Sequence, residues 1–174
     1  IYLMQRLTAQ GHTPHVVSRG YGGSLTGPVQ VVERQHTAAE TGDEPLLLSA
    51  FGSVWVSKDR LAGAQAAAAA GASHIILDDG FQDPTLLHDL ALVVVDAKRG
   101  FGNRRCIPAG PLREPVETGL ARADALIAIG DGPEIETTKP LFQAKLEPLF
   151  TGMDWQDTRV LAFAGIGHPE KFFA

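Results

Sequence analysis

Five short apolar runs constrain this chain more than any other feature. They lie at 14–18, 54–56, 74–77, 91–96 and 123–129, each of strand length and too short for a core helix. Helical patterns separate several of them. Residues 1–10 place apolar side chains at 1, 3, 4 and 7 before Gly11, which is helical spacing with a natural stop. Residues 60–70 are rich in alanine, follow Asp59 and end at Gly71, a helix with its cap and its terminator. A short helix is predicted at 118–122, and further strands at 29–32, 141–149 and 160–164. Strands alternating with helices predict an α/β fold with a mostly parallel sheet.

In such sheets ligands bind beyond the carboxyl ends of the strands, so the residues directly after each run carry the most information about function. Residues 73–82 read S-H-I-I-L-D-D-G-F-Q, a run predicted to be a buried strand that stops on Asp78 and Asp79. Acids there commonly hold the Mg²⁺ of a nucleotide, although Asp-Asp-Gly suits a surface turn equally well. The run 14–18 is followed by R-G-Y-G-G, whose glycines permit close approach of backbone to a ligand or simply a flexible loop. In T-G-D-E-P (41–45), Asp43 reads as a helix cap, or as a catalytic base presented at a helix start. The long loop 100–115 carries Arg104, Arg105 and Arg113; it is a phosphate clamp or a solvated charged loop.

The 174 residues suffice for one α/β domain and the edge of a second. A formal net charge of -5 argues against nucleic acid as a partner. The lone Cys106 excludes an internal disulfide and reads as structural. No apolar run reaches the roughly 18 residues of a transmembrane helix. The chain starts without methionine inside one helix and stops at Phe172, Phe173 and Ala174 inside another, so a fragment truncated at both ends is expected.

Four segments together go beyond generic α/β. S-R-G-Y-G-G (18–23), G-D-E-P (42–45), D-D-G-F-Q (78–82) and G-N-R-R-x-x-P-A-G-P-L-R-E-P (102–115) occur in an order and spacing that resembles the tetraacyldisaccharide 4'-kinases, the lipid A 4'-kinases of Gram-negative bacteria. G-I-G-H-P-E-K-F-F (165–173) is similar to the start of that family's second domain. The resemblance implies a P-loop-kinase-like α/β/α sandwich over 1–150 and the start of a second α/β domain over 151–174. It implies transfer of the ATP γ-phosphoryl group, with Mg²⁺, to the 4'-hydroxyl of a tetraacyldisaccharide 1-phosphate. The partners would be ATP, the lipid A disaccharide precursor and the cytoplasmic face of the inner membrane, reached as a peripheral or N-terminally anchored protein.

Roles carry over by position. Asp78 and Asp79 match the Walker B acids and would hold the metal, joined by Glu114. Asp43 matches the candidate base, and Arg113 would offset charge on the transferring phosphoryl. Arg113, Glu114 and Gln82 would face the nucleotide. Arg19, Gly20, Tyr21, Gly22 and Gly23 would line the substrate site. The family's phosphate loop has no match here and is expected upstream of Ile1; its catalytic histidine is expected beyond Ala174, and His168 is not assigned that role. The 174 residues alone are therefore expected to be inactive. The competing readings are a soluble P-loop NTPase or kinase with a non-lipid substrate and a non-catalytic nucleotide-binding module. A dinucleotide oxidoreductase lacks the full G-x-G-x-x-G fingerprint.

Overall fold

The computed structural model describes residues 1–147, 158, 159 and 161. Helix α1 (Tyr2–Ala9) leads into strand β1 (Pro14–Ser18), then β2 (Val29–Gln30), α2 (Ala38–Thr41), α3 (Asp43–Ser49), β3 (Ser53–Val56), α4 (Arg60–Ala69) and β4 (His74–Leu77). After a long turn come β5 (Leu92–Asp96), α5 (Val116–Arg122), β6 (Ala125–Ile129) and β7 (Leu141–Ala144). The strands form two sheets, β2-β3-β1-β4 and β5-β6-β7. All pairings are parallel except the short edge pairing of β2 with β3.

Strand β1 is the axis of the first sheet. It has a hydrogen-bonded neighbour on each side, and every residue in it is buried. Successive side chains of a strand face opposite ways, and β1 uses both directions. Val16 joins Met4, Val31, Val54 and Val56, with Leu46, Leu48, Phe51 and Ile76 packed against them. Val17 faces the other way, towards α4, where Gly63 lets the helix come so close that an added Cβ would meet Val17 Cγ1 at 2.8 Å. Helices therefore cover both faces. Val17, Val54 and Val56 are wholly buried, and each contributes on the order of 1.5 kcal/mol by leaving water. His15 is buried too: its Nδ1 accepts a hydrogen bond from Trp55 Nε1 at 3.1 Å, and burial holds its pKa below the ordinary histidine value.

Several expected boundaries change. The predicted strand 29–32 shortens to Val29–Gln30, while Val31 dips into the core and donates its N–H to the Val54 carbonyl. The helix expected from 118 begins at Val116, directly after Pro115, because proline suits a helix start and lacks the N–H an interior position needs. The strand expected over 141–149 is described only as Leu141–Ala144. The larger correction concerns β4, predicted to be buried. His74 and Ile75 are exposed, and Ile76 and Leu77 only half-buried. Burial of a strand depends on what lies on its far side, and among the described residues β4 pairs with β1 alone.

A compact unit spans Ile1–Ala144. The expected second-domain start at 151–174, with its strand 160–164 and G-I-G-H-P-E-K-F-F turn, lies outside the described residues apart from Thr158, Arg159 and Leu161.

Candidate functional site

Parallel pairing brings the carboxyl ends of β1 and β4 together, so the residues that follow them converge. Val17 pairs with Leu77, and the Asp78 N–H continues the ladder to the Val17 carbonyl at 3.0 Å. The next residues meet through side chains: Ser18 Oγ donates to Asp78 Oδ2 at 3.0 Å. Then the chain turns. Asp79 adopts a left-handed backbone with φ +49°, which aspartate tolerates better than most residues. Its carboxylate leaves the Ser18 side and meets Arg113 Nη1, 3.2 Å from Oδ2.

From Arg113 the polar contacts run on in a line. Arg113 Nη1 also donates to Gln82 Oε1 at 3.1 Å, and Gln82 Nε2 donates to Glu114 Oε1 at 3.2 Å. Glu114 pairs with Arg122 Nη2, and the Arg122 guanidinium lies 4.6 Å above the Phe81 ring. The two elements that carry the motifs 78–82 and 102–115 are thus stitched together by Asp79, Arg113, Gln82 and Glu114. Beside them is an apolar cavity of about 130 Å³, walled by Phe81, Val93, Phe101, Leu112, Pro115 and Leu120 together with Gln82, Arg113 and Glu114.

Among the described residues, the loop after β1 meets the aspartates only through Ser18 and Asp78. Gly23 N–H donates to the Gly20 carbonyl at 3.0 Å, and Gly22 has φ +80°. That is the pattern of a type II turn, whose third position requires glycine. It lifts Tyr21 to the tip, 94% exposed. Ser24 and Leu25 then donate to the carbonyls of Ala39 and Glu40, tying the loop to α2. Thr37 and Glu40 form a capping box at the start of that helix.

Of the two readings open to Asp43, the helix cap is not the one the backbone adopts. Gly42 occupies the N-cap position, and Asp43 is the first helical residue of α3, exposed, with Oδ1 accepting from the Glu44 N–H at 3.0 Å. Acids in a first turn still complement the helix dipole. Asp43 makes no direct bond to Asp78, Asp79 or Arg113; it is α2, just before it, that is tied to the 18–25 loop following β1. Arg19 is exposed and Gly20 buried in that loop.

Asp78, Asp79 and Glu114 were all expected to face a metal. They do not form one ligand cluster: among the described residues no group of three or more His, Cys, Asp or Glu side chains could hold an ion. Arg113 and Gln82 stand between Asp79 and Glu114. The donor set nevertheless fits Mg²⁺. Asp78 uses one oxygen on Ser18 and has the other for a cation, and Mg²⁺ takes one or two carboxylates and draws its remaining ligands from phosphate and water.

Three residues outside the sequence-based roles complete the site. Ser18 anchors Asp78. Arg122, in the last turn of α5, holds Glu114 and the Phe81 carbonyl. Arg60, in the first turn of α4, reaches the carbonyls of Asp78 and Asp79. An arginine at the positive end of a helix is an anomaly visible in sequence.

Comparison with known proteins gives the chain a family. The family description LpxK, Tetraacyldisaccharide-1-P 4'-kinase, matches residues 1–174. The chain is similar to tetraacyldisaccharide 4'-kinases of Dinoroseobacter shibae, 61% identical over 99% of the chain and 54% of that protein, and of Rhodospirillum centenum, 52% identical over 98% of the chain and 52% of that protein. It is also similar to the crystal structure of "apo" form LpxK from Aquifex aeolicus in complex with ATP, with TM-score 0.69 and 33% identity over 82% of this chain and 48% of that one. The chain spans about half the length of the curated relatives it matches. With its P-loop-kinase α/β fold, the chain belongs to the LpxK family of tetraacyldisaccharide 4'-kinases.

Proposed function

We propose that this chain carries the metal-facing and acceptor-facing part of an ATP-dependent lipid kinase, which phosphorylates the 4'-hydroxyl of a tetraacyldisaccharide 1-phosphate. The observation that supports the reading most is the split of the two adjacent aspartates at the sheet's carboxyl edge. Asp78 is oriented by Ser18, and Asp79 is tied to Arg113. Phosphoryl transfer needs positioning and electrostatic stabilisation more than covalent chemistry, and the residues divide that labour. Asp78 would hold Mg²⁺, which when bound supplies charge neutralisation at the phosphates. Arg113, 62% exposed, would turn from Asp79 towards a transferring phosphoryl group. Gln82 and Glu114 would steady that guanidinium and face the nucleotide. Asp43 would orient the acceptor hydroxyl and take its proton.

A lipid acceptor suits the surface near Asp43 better than a soluble one. Leu47, one turn along α3, is 62% exposed, and Tyr21 projects from the turn packed beside Gly42. Together with Arg19 to Gly23 they would line the way in for an acylated sugar at the inner-membrane surface. No described helix is long and apolar enough to cross a membrane.

The test uses the chain joined to the flanking residues found in longer relatives. ATP γ-phosphoryl transfer to tetraacyldisaccharide 1-phosphate is expected, whereas ATP hydrolysis without lipid phosphorylation would leave only a soluble NTPase. Asp43→Ala should lower turnover by about 10²–10⁴-fold while ATP affinity changes little. The 174 residues alone are expected to give no 4'-phosphorylation.

A further inference from the structure

We propose that Arg60 is a positioning residue for the metal-facing aspartates, gripping the backbone of the Asp78–Asp79 turn and so setting where both carboxylates point. The inference rests on the kinase reading of the site and assigns that site a residue from a different element, the start of α4.

Arg60 is out of place by local rules. It opens α4, where its charge opposes the positive end of the helix dipole, and it is 6% exposed. Tertiary partners must hold it there. Nη2 donates to the Asp78 carbonyl at 3.0 Å and to the Asp79 carbonyl at 2.7 Å, while Nη1 meets Asp83 Oδ2 at 3.3 Å. Nε is buried without an acceptor, so the group is placed for the turn rather than for its own full satisfaction.

One nitrogen can meet two successive carbonyls only where the chain has left the extended conformation, because the direction of the chain's groups alternates along a strand. The left-handed φ of Asp79 supplies that departure. With both carbonyls held from one side, the two side chains diverge, Asp78 to Ser18 and Asp79 to Arg113. A lysine would put a single ammonium where a planar fork now spans two carbonyls and a carboxylate.

A purely structural role is the competing account, since the ion pair with Asp83 also anchors the 78–85 segment. Two variants of the chain with its flanking residues separate them. Arg60→Lys keeps a charge for Asp83 but loses the double grip. Supporting residues behind metal ligands typically change affinity by about 10–100-fold, so the Mg²⁺ concentration for half-maximal binding of a fluorescent ATP analogue should rise by that factor. Affinity for the analogue without Mg²⁺ should stay unchanged, and amide exchange over 76–84 should accelerate. Arg60→Gln provides the same readouts should the lysine variant not fold. Asp83→Asn should lower Tm and leave the Mg²⁺ dependence where it was.

An Arg60→Lys protein with wild-type Mg²⁺ dependence would overturn the proposal. So would an Asp83→Asn protein shifted as far as Arg60→Lys. A wild type that phosphorylates the lipid while Arg60→Lys behaves normally removes only the role of Arg60. A wild type that binds no nucleotide at any Mg²⁺ concentration removes the kinase reading as well.

Discussion

The Asp78–Asp79 turn is held from two sides by two arginines in opposite surroundings. Arg60 comes from beneath, 6% exposed, and binds backbone carbonyls and Asp83. Arg113 comes from the open side and binds the Asp79 carboxylate, with both side chains more than half exposed. A buried charge that loses its partner costs far more than an exposed one, since water replaces the lost partner only at the surface. In the proposed kinase reading, the inner arginine would shape the site and the outer one would change partners when a phosphate binds.

That contrast can be broken experimentally. In the chain with its flanking residues, Arg113→Ala should reduce kcat by about 10²–10³-fold, the usual loss when one donor to developing charge is removed, as measured by lipid phosphorylation. Arg60→Ala should cost on the order of 3 kcal/mol of folding stability, because Asp83 Oδ2 and the carbonyls of Asp78 and Asp79 lose the buried guanidinium while Asp83 keeps only its Thr85 bonds, read by urea denaturation. Arg113→Ala should cost less than about 1 kcal/mol in the same assay, as exposed pairs do. A larger stability loss at Arg113 than at Arg60 would invert the comparison.

The smallest effect is in pH. Hydrogen bonds from the Thr85 side chain and backbone, with a lesser share from Arg60, hold the Asp83 carboxyl below its ordinary value of 3.8. As pH falls, the unfolded chain takes up this proton first. The stabilisation is therefore complete above that ordinary value and is lost as pH falls through the folded one. Between pH 5 and 3, Tm of Asp83→Asn should fall less steeply than that of the wild type.

Much of the site is legible in the sequence because its residues come in contiguous blocks behind strands. Asp78 and Asp79 follow an apolar run directly, and parallel pairing of β1 with β4 then carries them to Ser18. Arg113 and Gln82 are named by their motifs, yet their bond joins positions 31 residues apart, which no local pattern specifies. Asp43 shows the limit from the other side. Acid before a helix suggests a cap, but Gly42 takes the cap position and leaves the carboxylate exposed.

Local sequence by itself determined the alternation of elements, the cap Asp59 gives α4 and the adjacency of the two aspartates, because each depends on residues a few positions apart. The tertiary structure alone decided that β4 is exposed rather than buried, that Glu114 belongs with Gln82 and Arg122 rather than with the other acids, and that Arg60 reaches under the turn. Exposure, ion pairing and buried hydrogen bonds depend on what packs against a residue, and here the partners come from other elements of the fold.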